Sequence, residues 1–503
     1  MNRNHTLFGA SLLVLAISGC AVKSEPIERS VSEQRAKTDM QTIYSGQEPL
    51  NGPLTLHQAM ARAVKYNLEG RLKVMEEALA KRQLDLSSFD MLPRMALDAG
   101  YAGRSNVGAS SSQSVQTGTQ SLEPSTSQDK DRRVADLTMV WNVLDFGVSY
   151  ISAKQQGDQR LIVQERRRKV INTIVQDVRS AYWRAVAAER LLTKIDALMA
   201  RVDTARNDSQ RMSDQRIGDP VVSLGYQRSL IEATRQLQEQ RRALSLAKTE
   251  LATLINLPMG TDLKLATPDG YAIPQLKVGM ASLENEALAS RPELREQDYQ
   301  TRISTAETRK AMLRLLPGLE FSAGEHYDSN SFLVNNNWAD YGVKLTWNLF
   351  NVLSAPAAIN VAKAGEEVAK ARRQAISVAV LAQLYVANAN YQEALHQFQT
   401  NQQLSDIDEQ ILGQLRNRHQ AAGLGELDLI QGELNTLQAD LRRDLSYADL
   451  RNAYGQIFAS AGLDPLPDAV QSTQVQSIAR ALATREAAWA SGDITVAAHD
   501  PAH

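Results

Sequence analysis

Very few residues in this chain have the type and spacing to do chemistry. Its 503 residues include one cysteine, Cys20, and seven histidines, of which only His499 and His503 lie close together in sequence. That pair, His499-Asp500-Pro501-Ala502-His503, lacks the glutamate of H-x-x-E-H, which would set two imidazoles and a carboxylate on one helix face around a metal. No G-x-S-x-G elbow presents a serine, and no G-x-x-x-x-G-K-[ST] loop cradles a phosphate. The sequence therefore predicts no enzyme, no metal and no cofactor beyond a covalent lipid. That lipid would be carried by Cys20. The cysteine follows MNRNHTLFGASLLVLAISG, with Arg3 near the front, an apolar run from about Leu7 to Ile17, then Ser18 and Gly19. The run is shorter than the roughly 20 residues of a spanning helix and fits an export signal.

Ile17-Ser18-Gly19-Cys20 resembles a bacterial lipobox, whose cysteine is acylated on sulfur and becomes the new N-terminus. The alternative is a plain signal peptide with an incidental cysteine. On the first reading, residues 1–19 are the signal and 20–53 a lipid-anchored linker. Ala21 follows the cysteine; the lipobox resemblance then implies the outer membrane. Lys and Arg (55) nearly balance Asp and Glu (57), so nothing favours nucleic acid, whose binders concentrate basic charge. No later apolar stretch reaches the length of a spanning helix, although barrel strands would leave only a weak alternating signal.

The elements around these residues occur twice. MVWNVLDFG (139–147) is echoed by LTWNLFNVL (345–353), about 206 positions on. AVKYNLE (63–69) matches ALASRPE (287–293), and MLPRMALDAG (91–100) matches LLPGLEFSAG (315–324), at an offset of about 224. The difference is a Ser/Thr/Gln-rich insert in the first half, which reads as an exposed loop. Each half, 54–270 and 271–467, runs in one order. A helix over 55–90 or 279–313 ends at Pro93 or Pro317, two strands flank a loop, and about 100 helical residues follow. Gly218 and Pro220, or Gly423 and Gly425, interrupt that last stretch near its middle and predict a helical hairpin. Residues 468–503 form a tail with one short helix.

The strands alternate. In VADLTMVWNV, Ala135, Leu137, Met139 and Trp141 share one face, and Asp136, Thr138 and Asn142 the other. In the second half Tyr341, Val343, Leu345 and Trp347 alternate with Asp340, Lys344 and Thr346. Trp141, Phe146, Trp347 and Phe350 cluster at strand ends, as interface aromatics do. Such strands suit either a transmembrane barrel or a soluble hairpin on a helical core. For the barrel, four strands are too few: edges in lipid leave backbone groups unsatisfied, and the smallest closed bacterial barrels use about eight strands. The barrel reading therefore requires copies of the chain to assemble. Helical stripes such as Val170, Ile174, Val178 and Ala181, or Leu230, Ala233, Leu237 and Leu244, predict side-by-side helix packing. Arg166, Arg167, Arg168 and Arg179 fall on the polar remainder.

Together, LTLHQAMARAVKYNLE with LPRMALDAGY, LENEALASRPEL with LPGLEFSAGE, the WNVLDFG and WNLFNVL endings, and the segments RIGDPVVSLG and AAGLGELDLI resemble the TolC-like outer-membrane factors, in their lipoprotein branch. The likeness spans roughly residues 54–467. It implies a homotrimer of mixed, mostly α chains, in which a 12-stranded outer-membrane β-barrel continues into a long periplasmic α-helical barrel. It also implies that the helical tips form a closable entrance and dock a periplasmic adaptor (membrane-fusion) protein that joins an inner-membrane transporter. By position, Arg216, Gly218, Asp219 and Ser223 make the first tip, and Gly423, Gly425, Glu426 and Asp428 the second. The expected role is a passive conduit for efflux of small molecules. Type I protein secretion through the same fold, or a periplasmic coiled-coil scaffold without a pore, are the alternatives.

Overall fold

The computed structural model describes residues 24–215, 219–268, 270–421, 423, 425–466 and 474–494. Cys20 and the signal segment, and Arg216 and Gly218 of the first tip, lie outside them. Residues up to Pro49 and residues from Leu50 onward are separate compact units. The first contains helix α1 (Arg29–Thr42), which buries none of its residues. No described helix is long and apolar enough to cross a membrane.

In the second unit the expected helix over 55–90 is two helices, α2 (Leu56–Tyr66) and α3 (Leu68–Ser87). Asn67 breaks it: its ψ is 128°, and its Oδ1 accepts from the amides of Glu69 and Gly70 at 3.0 and 3.2 Å. An asparagine that caps the following helix in this way leaves its own backbone extended. The expected helix over 279–313 divides in the same manner into α6 (Met280–Ser290) and α7 (Pro292–Leu313) around Arg291, whose ψ is 127°. There the cause is Pro292, since a residue before proline is forced out of the helical region. Asn67 and Arg291 are the partners in the match between AVKYNLE and ALASRPE.

Four strands follow these helices in pairs: β1 (Arg94–Gly103) and β2 (Asp131–Asn142), then β3 (Gly318–Asp328) and β4 (Asn337–Thr346). They form one antiparallel sheet in the order β1-β2-β3-β4. Helix α4 (Val143–Asp214) starts at the residue after β2, capped by Asn142, whose Oδ1 accepts from the Leu144 amide at 2.9 Å. Helix α8 (Phe350–Gln420) starts after Trp347-Asn348-Leu349, with Asn348 accepting from the Phe350 amide at 3.1 Å. Their hairpin partners are α5 (Pro220–Leu254) and α9 (Glu426–Ser460). The breaks thus fall two-thirds of the way along each helical stretch rather than at its middle, with 72 and 71 residues before them and 35 after.

Near the sheet the helices lie side by side in the order α3, α4, α7, α8; farther away the order is α5, α4, α9, α8. Leu230, Ala233, Leu237, Leu244, Ala247 and Leu251 of α5 are all buried, as the spacing predicts. Ile174, Val178, Ala181, Trp183 and Ala185 of α4 are buried too. Arg168 and Arg179 differ from expectation: both are buried. Each is matched by at least one carboxylate brought from a distant part of the chain. Arg168 donates to Glu165 at 2.5 Å and to Asp464 at 2.7 Å.

The short helix expected in the tail is α10 (Val475–Ser491), and it docks on α2. Ile478 and Leu482 are buried, and Trp489 stacks on Phe458 with ring centroids 5.1 Å apart. Glu486 sits between Arg179, to which it is hydrogen-bonded, and His57, whose Nε2 is 3.2 Å from Oε2.

Candidate functional site

Three surfaces of the second unit are placed to act: the two faces of the sheet, its edges with the helices beside them, and the turns at the far end of the hairpins. Strand register decides the faces. Leu97, Leu137, Glu325 and Ala339 lie in one cross-strand row, and Met95, Met139, Ala323 and Tyr341 in the next. Apart from Glu325, and from Asp131, Arg133 and Asn337 at the end away from the helices, this face is apolar, and it is uncovered within the chain: Leu97 is 74 % exposed and Val343 67 %. The opposite face carries Asp98, Asp136 and His326 in one row and Glu320 opposite Lys344 in another. An exposed apolar face of this extent marks a surface that meets a membrane or another protein.

The strand-end aromatics gather at the helix end of the sheet. Trp141 meets Phe146 edge to face at 5.9 Å and stacks on Phe321 at 6.2 Å. The Trp347 indole donates to the Leu315 carbonyl at 3.1 Å, and Phe350 is exposed. The structure thus joins Trp141 to Phe146 and adds Phe321 of β3 to them.

Strands β1 and β4 are the sheet's two edges, and α3 and α8 are the outermost helices beside them. Both helices present an apolar stripe away from the chain. On α3 it is Leu68, Leu72, Met75, Leu79 and Leu86; on α8 it is Val361, Val368, Val378 and Tyr385, with alanines between. The spacings of three, four and seven are those of helices that bury a seam against another helix.

Tyr226 and Leu427 pack on the same apolar cluster, so both turns lie at one end of the helical layer. Asp219 caps α5, accepting from the Val221 amide at 2.8 Å. Beside it Val221, Val222 and Leu224 are exposed, and Ser223 is half-buried. At the second turn Gly425 precedes α9, the Gly423 amide donates to the Arg418 carbonyl at 3.0 Å, and Asp428 lines a cavity of about 440 Å³ with Asp408 and Asn435.

Glu426 belongs to a network not anticipated from the sequence. Arg201 of α4 donates to Glu426 and to Glu433, each at 2.6 Å; Arg416 reaches Glu433 at 3.3 Å, and His419 lies 3.3 Å from Glu426. These pairs tie α4, α8 and α9 together just behind the turns. The signal was available, because a seven-residue separation puts Glu426 and Glu433 on one face of α9, where one guanidinium can span them. Burial, then the nearby carboxylates of Glu426 and Asp208, push the Tyr226 phenol above its ordinary range.

No protein-family model matches the sequence, and no curated protein does. Solved structures do. The outer-membrane channel OprN is 18 % identical, with a TM-score of 0.61 over 81 % of this chain and 89 % of that one. The Campylobacter jejuni CmeC outer membrane channel is 12 % identical, with a TM-score of 0.65 over 87 % of this chain and 94 % of that one. The open state of the Neisseria gonorrhoeae MtrE outer membrane channel is 18 % identical, with a TM-score of 0.60 over 80 % and 88 %. At these identities the likeness is one of fold. It agrees with the motifs, and the chain has the fold of the TolC-like outer-membrane factors.

Proposed function

We propose that this chain is the outer-membrane channel component of a tripartite export pump, a passive homotrimeric conduit for small molecules. The observation that carries this reading is the coincidence of free edges with uncovered apolar seams. One side of the chain offers the edge of β1 with the α3 stripe, and the other offers the edge of β4 with the α8 stripe. Because α3 leads into β1 and α8 follows β4, both stripes lie in the helical half next to the sheet. Unlike surfaces that complement each other produce a ring when the rotation closes. Three copies would close 12 strands, with 12 helices at each level below them. The apolar sheet face then meets lipid, with Trp141, Phe146, Trp347 and Phe350 near its periplasmic boundary, and the polar face lines the lumen.

On this reading the halves 54–270 and 271–467 each supply two strands and one helical hairpin, and acylated Cys20 anchors the chain to the outer membrane. The turns bearing Arg216, Gly218, Asp219 and Ser223, and Gly423, Gly425, Glu426 and Asp428, form the periplasmic entrance. Exposed Val221, Val222 and Leu224 offer an apolar knob for a periplasmic adaptor, which would link the channel to an inner-membrane transporter.

A photo-crosslinking residue placed at Ser223, and separately at Asp428, tests the docking in living cells. Capture of an adaptor together with a proton-driven permease is the expected result and means small-molecule efflux. Capture with an ATP-driven transporter instead means type I protein secretion. No adaptor at either position, in a correctly exported protein, overturns the conduit in favour of a scaffold.

A further inference from the structure

The polar face of the sheet holds a charge arrangement that neither the fold nor the proposed role requires. Asp98 of β1 stands directly opposite Asp136 of β2, and like charges in that position repel. Opposite Asp136 on its other side is His326 of β3, whose Nδ1 lies 2.6 Å from Asp136 Oδ1. The second ring nitrogen, Nε2, lies 3.2 Å from Asp340 Oδ2 of β4. One imidazole therefore touches carboxylates on the strands to either side of its own. Trp338 stacks on the ring at 5.2 Å between centroids and fixes its plane. Gly324 leaves the space it occupies: a Cβ there would come within 2.6 Å of Nε2.

The other charges on this face stand apart from this group. Arg132 pairs with Asp328 at 3.1 Å, and Lys344 stands opposite Glu320. Arg94 is four residues from Asp98 along β1, about 13 Å away at the usual rise of a strand. The cluster is thus three carboxylates and one imidazole per chain, and only the imidazole changes charge between pH 5 and 8 when unperturbed.

Resting on the conduit reading above, we propose that His326 sets the ion preference of the channel lumen. With the ring neutral, Asp98, Asp136 and Asp340 present their full negative charge to the pore and favour cations. With the ring protonated, one of those charges is cancelled and the preference falls. In a trimer the change is threefold around one level of the barrel, where low-dielectric walls concentrate the field.

The test is the reversal potential of purified full-length protein in planar bilayers under a KCl gradient, at pH 8 and pH 5. The wild type is expected to lose about half of its cation preference on acidification, a change of about twofold. H326Q should hold the higher preference at both pH values, and H326R the lower one. G324A, which keeps the histidine but displaces the ring, should weaken the pH response. Equal pH responses in wild type, H326Q and H326R overturn the role of His326 while leaving the conduit intact. Absence of current from every variant, in protein that is folded and inserted, overturns the conduit and this proposal with it.

Discussion

Replacing Glu486 with alanine will cost about 3–5 kcal/mol of stability, the usual result of stripping one partner from a buried ion pair. Arg179 is 4 % exposed, and its remaining side-chain acceptor is Gln176 at 2.5 Å. Without Glu486 its charge would stay in the core with no carboxylate against it. The loss should show first as release of α10, because Glu486 ties that helix to α4 and α2. Trypsin will then cut after Arg480 or Arg485, and the fluorescence of Trp489 will change as it leaves Phe458. The same contact makes docking sensitive to acid. Burial alone would raise the Glu486 pKa, but Arg179 and His57 outweigh it and hold the carboxyl at about 2, against an ordinary 4.5. A depressed carboxylate contributes its full stability above the unfolded value and loses it as pH falls through the folded one. Docking of α10 should therefore be intact at neutral pH and weaken from about pH 4.5 down toward 2. A loss below 1 kcal/mol in the alanine variant would show that water or Gln176 suffices for Arg179.

Val368→Asp should abolish assembly and leave the chain folded. Val368 is 65 % exposed in the chain, so an aspartate there is solvated in the monomer and costs it little. In a closed ring the same side chain would lie in the seam against α3 of the next copy. An unpaired carboxylate buried in such a seam costs several kcal/mol, and a trimer would suffer it at three interfaces. Heat-modifiable migration and light scattering of the detergent-solubilised protein should report monomer for Val368→Asp. Lys370→Ala, which removes only a surface pair with Glu367, should remain assembled. An intact oligomer in Val368→Asp would mean that the α8 stripe faces something other than another copy.

Much of this architecture was legible as pattern. Strand alternation assigned both faces of the sheet, and heptad-like spacing identified the buried side of α5 from Leu230 to Leu251 almost residue by residue. Local breaks were harder to read. Asn67 ends one helix and caps the next through its side chain, yet it sits in an otherwise unbroken helical pattern. Pro292 is a plainer signal for the equivalent break, since proline forces the residue before it out of the helical region. Long-range charge pairing left least trace of all. Arg168 and Arg179 look like solvated residues in any local window, because Asp464 and Glu486 lie about 300 positions away. Of the tip residues, Glu426 was identified by position, but Arg201, its partner across the helix pair, was not. A bridge between two helices depends on how they face each other, and neither helix encodes that alone.

The junction between β2 and α4 has a mechanical consequence. No residue separates Asn142, the last of the strand, from Val143, the first of a 72-residue helix. At 1.5 Å per residue the helix is a rod about 108 Å long, clamped at one end into a hydrogen-bonded sheet. A tilt of about 5° at that clamp would swing the far end by about 9 Å, roughly one helix diameter. If the chain is the conduit proposed above, opening at the tips would thus ask only a few degrees of tilt at the sheet.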